Sequence, residues 1–548
     1  MINNFKEQFK KIPRHIGILL AIILLGTFLR AYHLNDWLDF GDDQVHDADL
    51  VRSVIRGETA WPLLGPDMSK SGNGEDGNSR ANRFHTGPIY YYFQILSAKM
   101  FGMKPYALAY PDLLFSVLSI PLLFYFSSRY FKRNLSLALT GLYTISFYSL
   151  KFSHSAWNPN IIPFFALLFL LSLWKFLVDK EKISWLWAIS LGIALGVGIQ
   201  LHAILFVLFP AVIFFVFLYL LKKRRIFWKK WTIVLLAAVI LNSGQIISEL
   251  ETGFANSKAF LSSISGDSSS SGRELMINFT QDAECHIQAN LHIASSLGDK
   301  ENCSFFISSL IKGGKIKDDL KEIKDPIIIS GMILAIIFSV LGYGLLISRF
   351  RKERELSRKY FLGLIILYAG FSFLTLLPVI SSALRYFAHT IFIPFIFLGL
   401  FSEWLIEKYS KKYFWIIGLI FIILSLLNIS SIYPAVKELS AKTRNAPQEK
   451  IVFGESETIA DFIVSKSFPQ KEAYLLTSGK CINFSKPLNY ITREQGFSLL
   501  IRKKEDLIPP DKPVFFIGIH EKGVSAEKYK KAIECQNFGR VDVCRVEK

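Results

Sequence analysis

The chain has 548 residues; 51% of them are hydrophobic, 20% are charged, and the formal net charge is +18. Long stretches such as residues 203–221 and 413–427 are almost free of charge. They exclude an ordinary soluble globular protein, because about 20 apolar residues cross the hydrocarbon core of a bilayer. The basic excess does not predict a nucleic-acid partner, since the lysines and arginines lie in short loops between these stretches, where they signal membrane topology.

Eleven stretches are predicted as membrane spans. The first follows a basic N-terminal segment and lacks a small-residue cleavage site, so we interpret it as a retained signal anchor. With the N-terminus inside, every inside loop carries two or more basic residues, whereas the short outside loops carry only Lys151 and Arg385, as the positive-inside rule requires. The predicted spans are residues 16–34, 107–127, 135–150, 160–178, 184–201, 203–221, 231–248, 326–347, 360–378, 388–404 and 413–431.

Residues 88–101 are apolar and rich in tyrosine, but they are short. If this segment crossed the membrane, every later loop would change side and the basic loops would lie outside. We therefore predict an outer interfacial helix, at a depth that suits tyrosine.

The predicted topology leaves residues 35–106, residues 249–325 and the tail outside. The second of these segments holds Cys285 and Cys303, between which an oxidising exterior would permit a disulfide. In the tail, strand-like patterns at residues 451–455, 473–479 and 513–519 alternate with helical patterns at residues 456–466 and 526–535. Its three cysteines leave at least one unpaired within the tail.

The predicted architecture is therefore an all-α polytopic membrane protein with about eleven transmembrane helices and its N-terminus inside. Residues 1–431 form the membrane module, and residues 432–548 form a small extracytoplasmic α/β domain.

Unusual polar residues concentrate on the outer side. Five acids, Asp39, Asp42, Asp43, Asp47 and Asp49, lie within eleven residues of the first outer segment. Alone, this cluster is also typical of a solvated loop or a helix N-cap, because an apolar-periodic stretch follows. Each of the other polar residues also has an ordinary interpretation as an interfacial, loop or helix-start residue, but their shared side predicts a cavity. They are Arg30, Arg83, His85, Tyr90, Trp157, Asn158, Gln200, His202, Glu249, Arg385 and Tyr386.

Several of these residues fall in short segments that resemble the type C glycosyltransferases, which use polyprenyl-phosphate sugars and include the protein O-mannosyltransferase and lipid A aminoarabinose transferase group. The resemblance implies a helical bundle with an outer cavity, a catalytic acid in the first outer loop (residues 35–106) and a variable outer domain. The matching segments run in family order over about residues 16–405: Asp43 to Ala48, Pro62 to Pro66, His85 to Tyr92, Ala156 to Asn160, Gln200 to His202, and Arg385-Tyr386 followed by Pro394.

The sequence departs from the family pattern in two places. Many members have Asp-Glu in the first outer loop, where this chain has Asp42-Asp43-Gln44. Many have Arg-Pro-Asp in the second outer loop, where this chain has Trp157-Asn158-Pro159. A second catalytic carboxylate is therefore absent from that position.

The chemistry of a sugar on a lipid phosphate suggests the roles. A carboxylate must take the proton from the acceptor hydroxyl, and a cation must stabilise the departing phosphate. We assign Asp43 as the general base, with Asp42 as the competing assignment. Asp47 orients the base, binds sugar hydroxyls or helps to hold a divalent cation. Arg385 is the first candidate for the phosphate, because a guanidinium pairs with phosphate through two hydrogen bonds.

The remaining polar residues are expected to bind substrate. Arg30 and Arg83 are weaker candidates for the phosphate. The donor or acceptor pocket would be lined by His85, Tyr90, Trp157, Asn158, Gln200, His202, Glu249 and Tyr386. No cofactor is assigned; Asp43 and Asp47 are the residues that could supply oxygen ligands to a hard divalent cation.

The sequence thus predicts an enzyme of the outer face of a plasma membrane, with a bacterial membrane favoured. It would move a sugar from a polyprenyl-phosphate donor to a lipid, glycan or protein acceptor, and the resemblance implies inversion at the anomeric carbon. One alternative is a transporter or lipid flippase, although transport sites tend to lie near the bilayer midplane rather than in an outer loop. The other is a receptor or assembly protein whose tail binds a partner.

Overall fold

A computed structural model describes most of the chain. The described residues are 13–67, 84–179, 184–265, 272–297, 303, 308, 311, 326–376, 383–409, 414–440, 451–477, 479–502, 508–509, 511–519 and 532–546.

The regular secondary structure of the membrane module is helical in the described residues. Its helices are α1 (Arg14–Ala31), α2 (Leu34–Trp37), α3 (Asp42–Ile55), α4 (Ile89–Phe101), α5 (Pro105–Leu108), α6 (Tyr110–Ser127), α7 (Arg133–Ile145), α8 (Phe147–Lys151), α9 (Ile162–Val178), α10 (Trp185–Leu201), α11 (Ala203–Lys222), α12 (Trp228–Leu241), α13 (Ser243–Glu251), α14 (Ala255–Ser265), α15 (Gly272–Ser295), α16 (Pro326–Lys352), α17 (Leu356–Leu376), α18 (Ile393–Tyr409) and α19 (Phe414–Ser440). Two 3₁₀ helices, Asn158–Ile161 and Leu384–Thr390, precede α9 and α18.

Within the described residues, six helical segments are long and apolar enough to cross a membrane: Arg14–Ala31, Pro105–Ser127, Asn158–Val178, Ala203–Lys222, Ile329–Lys352 and Phe414–Lys437. Two bent pairs raise the number to eight if each is one span. Helices α12 and α13 meet at 63°, and Leu384–Thr390 meets α18 at 61°. These helices agree with a multi-pass membrane protein, whereas eleven spans and the orientation stay predictions.

Helix α4 is not one of these candidate spans, in agreement with its omission from the predicted spans. One face of α4 buries Tyr90, Tyr91 and Ile95 against the rest of the protein. The opposite face leaves Leu96 and Met100 exposed.

The tail folds as the predicted α/β domain. Its elements are α20 (Phe453–Ser467), β1 (Glu472–Thr477), a 3₁₀ helix (Gly479–Phe484), α21 (Ser485–Glu494), β2 (Ser498–Arg502), β3 (Val514–Ile519), β4 (Ala532–Asn537) and β5 (Val541–Val546). The sheet order is β2-β1-β3-β5-β4. Strands β1, β2 and β3 are parallel, and β5 is antiparallel to both β3 and β4.

Two of the tail patterns were misread. Residues 451–455 are not a strand, because α20 begins at Phe453. In the segment 526–535, predicted to be helical, the residues from Ala532 onward form β4. Pairing with β5 overrides the local helical pattern there, and the Cys535–Cys544 disulfide links the two strands.

The pairing of the other cysteines agrees with what the sequence predicts. Cys285 and Cys303 form the disulfide that an outer location permits, and Cys481 is the unpaired cysteine of the tail.

Two of the three hydrophobic clusters in the described part of the chain bear on the site. One lies among the membrane helices. The second is shared between the first outer segment and the tail, and it includes Phe40, Val45 and Val51 from the former and Phe453 and Tyr490 from the latter. The tail is therefore packed directly against α3.

Candidate functional site

Helix α3 presents Asp43 at its first turn. Gly41 precedes the helix, and its N–H donates to Gln44 Oε1 at 3.1 Å, which fixes the start of the helix. The unpaired N–H groups at a helix start favour negative charge. Asp43 is exposed, and it makes no hydrogen bond or ion pair with another residue of the described part of the chain. Its carboxylate is thus open to a substrate.

The other two predicted acids are already engaged. Asp42 Oδ2 lies 2.7 Å from Lys486 Nζ in the tail. Asp47 is only 7% exposed, and its Oδ1 accepts from the Tyr91 hydroxyl at 3.1 Å and lies 3.5 Å from His46 Nδ1. Burial raises the pKa of Asp47, and the hydrogen bond to Asp47 raises the pKa of His46. Asp47 is therefore suited to hold α3 and its neighbours in place.

A small pocket brings four of the predicted residues together. It is lined by Trp157, Pro159, Ile162, His202, Ile204, Leu205, Arg385, Tyr386, Ala388 and His389. Arg385 is exposed, its Cζ lies 5.3 Å from the centre of the Tyr386 ring, and it has no hydrogen bond or ion pair with any other residue that the structure describes. His202 caps α11 by accepting from the Ile204 N–H at 3.2 Å. The pocket thus offers a guanidinium that no described residue compensates, beside aromatic rings.

The loop of residues 152–160 connects α3 to this pocket. On the α3 side, the Asp39 N–H donates to His154 O at 2.8 Å, and Gln44 Nε2 lies 3.5 Å from Ser155 Oγ. On the other side, Trp157 is part of the pocket wall. Asn158 Nδ2 donates to Leu201 O at 2.5 Å and so ties the loop to the residue before His202.

Asp112, in α6, forms hydrogen bonds that anchor the same loop. Its Oδ1 accepts from the Trp157 N–H at 3.3 Å, and its Oδ2 accepts from the Tyr90 hydroxyl at 2.8 Å. Tyr90 therefore contacts the pocket indirectly, through Asp112 and the Trp157 backbone.

Gln200 and His85 hold backbone segments together. Gln200 Oε1 accepts from the Ile89 N–H at 3.2 Å, while its Nε2 donates to Gly196 O at 2.8 Å and Leu241 O at 2.9 Å. His85 Nδ1 lies 3.1 Å from Gly65 O, as a donor to that carbonyl. These contacts support a role in the fold, and substrate binding by either residue stays a prediction.

The close fit around Gln200 requires a glycine. A Cβ atom at position 87 would lie 2.2 Å from Gln200 Oε1. The segment His85 to Pro88 is thus held tightly against α10.

Arg30 does not fit the phosphate role. Its side chain is fully buried, and four N–H···O contacts link it to Gly26 O, Thr144 O, Ser116 Oγ and Ser149 Oγ. The guanidinium joins α1 to α6, α7 and α8 and is not open to a ligand.

The last two candidates are Glu249 and Arg83. Glu249, in α13, accepts from Ser257 Oγ at 2.8 Å and is not part of the pocket wall. Arg83 lies outside the described residues.

Asp43 and Asp47 as ligands of a divalent cation stay a prediction. Within the described ranges, no group of three or more His, Cys, Asp or Glu side chains is arranged to hold a metal ion. Asp47, moreover, is taken up by Tyr91 and His46.

Sequence reasoning missed Asp112, His389 and Lys486. A signal existed for the first two, since each is an ionisable residue inside a predicted span, and such residues are functional candidates by default. His389 lines the pocket and lies 2.6 Å from Ser372 Oγ through its Nε2. Lys486 gave no local signal, because its partner Asp42 is distant in sequence.

Residues 85–244 match the model of the dolichyl-phosphate-mannose-protein mannosyltransferase family. No curated protein matches the chain. The chain is similar to the structure of ArnT from Cupriavidus metallidurans bound to undecaprenyl phosphate, with 11% identity over 97% of each chain and a TM-score of 0.49. It is also similar to the oligosaccharyltransferase AglB from Archaeoglobus fulgidus in complex with an inhibitory peptide and a dolichol-phosphate, with 12% identity over 89% of this chain and 64% of that chain and a TM-score of 0.48. Because both TM-scores are low, the family match over residues 85–244 is the comparison that bears on function.

Proposed function

We propose that this protein is a membrane glycosyltransferase that moves a sugar from a polyprenyl-phosphate donor to an acceptor at the outer face of the membrane. One observation carries the proposal: the loop of residues 152–160 joins the helix that bears the Asp43 carboxylate to the pocket that bears the Arg385 guanidinium, and no described residue pairs with either group. The match of residues 85–244 to a family named for a lipid-phosphate mannose donor supports the donor class.

The reaction needs one base and one cation. The acceptor hydroxyl oxygen attacks the anomeric carbon, and the bond from that carbon to the phosphate oxygen breaks, so that the phosphate leaves with the electron pair. Asp43 takes the hydroxyl proton, and Arg385 stabilises the charge that develops on the departing phosphate. Attack from the side opposite the phosphate inverts the anomeric centre.

The surroundings of the acids favour Asp43 over Asp42 as the base. Asp42 already accepts from Lys486, whereas Asp43 is exposed and unpaired within the described ranges. Asp47, which contacts Tyr91 and His46, acts as a positioning residue. The acceptor is a lipid, glycan or protein with a nucleophilic hydroxyl at the outer membrane surface.

The test is transfer from polyprenyl-phosphate sugars by the purified protein in lipid nanodiscs. Asp43→Asn should lower kcat by about a hundredfold to ten-thousandfold, the usual contribution of a general base. Asp42→Asn, the matched control on the neighbouring residue, should lower kcat only several-fold, because it loses the ion pair with Lys486 but leaves the Asp43 carboxylate in place. Full transfer by Asp43→Asn would overturn the assignment of the base.

One observation favours a transporter or lipid flippase as a second candidate. Two bent helix pairs, α12–α13 and Leu384–Thr390 with α18, resemble the discontinuous helices at transport sites. Arg385 lies on the second of them. A wild-type protein that moves labelled lipid phosphate across a vesicle membrane, but transfers no sugar from any donor, would support this candidate and overturn the enzyme.

A further inference from the structure

The tail and the first outer segment share one apolar contact surface. Phe40 is 1% exposed, and its ring lies edge-on to those of Phe453 at 5.6 Å and Tyr490 at 5.4 Å. The main chains also pair: the Phe40 N–H donates to Ile451 O at 2.7 Å, and the Phe453 N–H donates to Leu38 O at 2.8 Å. The segment that enters α3 is thus held by the tail through both side chains and backbone.

Charged residues continue this contact along α3. Asp42, Asp49, Arg52 and Arg56 are spaced seven, three and four residues apart, so they lie on one face of the helix. On the tail, Lys486, Tyr490 and Arg493 are spaced four and three residues apart on α21, and Glu494 follows. The two faces are complementary in sign: Lys486 meets Asp42, Arg493 meets Asp49, and Glu494 meets Arg52 and Arg56.

Glu494 is the central member of this set. Its Oε1 lies 3.0 Å from Arg52 Nε and 3.3 Å from Arg56 Nη2. The Arg52 side chain is only 10% exposed, and its other acidic neighbour, Asp49, is 3.9 Å away. Loss of one partner from a buried pair is far more disruptive than loss of an exposed pair, because the remaining charge stays buried without compensation.

The exposed pairs act differently. Lys486 and Asp42 are 62% and 60% exposed, so their ion pair adds little to global stability. It nevertheless links α21 to the first turn of α3, next to Asp43.

We propose that the C-terminal domain is a positioning element for the catalytic helix: α21 holds α3 through Glu494 and Lys486 and so sets the place of Asp43 relative to the pocket. The kinetic part of this inference rests on the proposed function. The structural part, that α21 restrains α3, does not.

The structural part is tested by amide hydrogen exchange of the full chain in nanodiscs. Glu494→Gln keeps the shape and an acceptor oxygen but removes the charge, and exchange across residues 42–55 should become faster by about tenfold. The matched control is Glu534→Gln, which breaks the Lys466–Glu534 pair within the tail and should leave α3 unchanged. Unchanged exchange in Glu494→Gln would overturn the proposal.

The kinetic part separates positioning from a general loss of structure. Lys486→Gln, an exposed substitution, should lower kcat several-fold with the donor KM unchanged, and Lys486→Arg should restore kcat because it keeps the charge. An unchanged kcat in Lys486→Gln, or a raised donor KM with kcat unchanged, would overturn the positioning role. A wild type that transfers nothing would instead remove the proposed function, and hydrogen exchange would still decide whether α21 restrains α3.

Discussion

Tyr91 donates a hydrogen bond to the buried carboxylate of Asp47, with 3.1 Å between the Tyr91 hydroxyl and Asp47 Oδ1. The contact joins α4 to α3 one helical turn beyond Asp43. A buried acid requires such a partner, because an unsatisfied charge inside the protein is strongly destabilising. The bond therefore fixes the helix that carries the proposed base.

Tyr91→Phe should destabilise the protein. Removal of the hydroxyl leaves His46, at 3.5 Å, as the nearest donor to Asp47 Oδ1, and loss of a hydrogen bond to a charged group is worth about 1.5–3 kcal/mol. The measurement is the thermal midpoint in detergent, compared with Tyr433→Phe, whose ring is 67% exposed. Equal midpoints for the two variants would contradict the role of the Tyr91 hydroxyl.

Titration of Asp47 and His46 should make the protein less stable as the pH rises. Burial raises the pKa of Asp47 above its ordinary 3.8, so the folded state holds this proton more strongly than the unfolded state. The hydrogen bond to Asp47 raises the pKa of His46 above 6.5. In both cases the folded state binds more protons, so the free energy of unfolding falls as the pH rises from 3.8 through the folded pKa of Asp47, and again from 6.5 through that of His46.

The double variant His46→Gln/Asp47→Asn isolates this effect. As the pH is raised, the unfolding free energy of the wild type should fall relative to that of the variant. A difference that is constant with pH would show that neither group changes its affinity for protons on folding. The measurement is chemical unfolding of both proteins over a series of pH values.

Arg385→Gln should raise the donor KM by about tenfold to a hundredfold, the range expected for loss of a charge-assisted hydrogen bond, and it should also lower kcat, because Arg385 stabilises the departing phosphate. Arg385→Lys should recover only part of the loss, because an ammonium keeps the charge without the planar, two-pronged geometry. Lys99→Gln is the control, since that exposed lysine lies over Trp61, away from the pocket. If all three variants retain the wild-type KM, Arg385 does not bind the donor.

The sequence alone predicted those parts of the structure that local sequence patterns determine. The apolar-periodic stretch after the acid cluster predicted a helix, and α3 is that helix, although it begins at Asp42, within the cluster, rather than after it. The distribution of basic residues among the loops excluded residues 88–101 from the predicted spans, in agreement with the short helix α4. The resemblance selected Trp157, His202, Arg385 and Tyr386, which all line one pocket.

Contacts between distant residues decided the rest. Arg30 is predicted to be an outer cation, but hydroxyl and carbonyl groups of three other helical segments enclose it. Residues 532–535 carry a helical pattern, yet they pair with β5. No local pattern indicates either partner, so sequence spacing alone could not identify these arrangements.

Asp112 provides the last prediction, because it supports the pocket without lining it. It is 1% exposed, and its two oxygens accept from the Tyr90 hydroxyl and the Trp157 N–H. Asp112→Asn keeps one carbonyl oxygen for Trp157, and the Tyr90 hydroxyl can accept from the new amide, so this variant should keep much of its stability and donor KM. Asp112→Leu leaves both donors buried and unpaired, at a cost of about 1–3 kcal/mol each.

The two substitutions therefore separate hydrogen bonding from charge at this position. Asp112→Leu should lower the thermal midpoint and raise the donor KM, because the Trp157 backbone loses its anchor in the pocket wall. Tyr90→Phe removes the tyrosine bond alone and should change the donor KM less than Asp112→Leu does. If Asp112→Asn raises the KM as much as Asp112→Leu, the negative charge of Asp112, rather than its support of Trp157, is what the pocket needs.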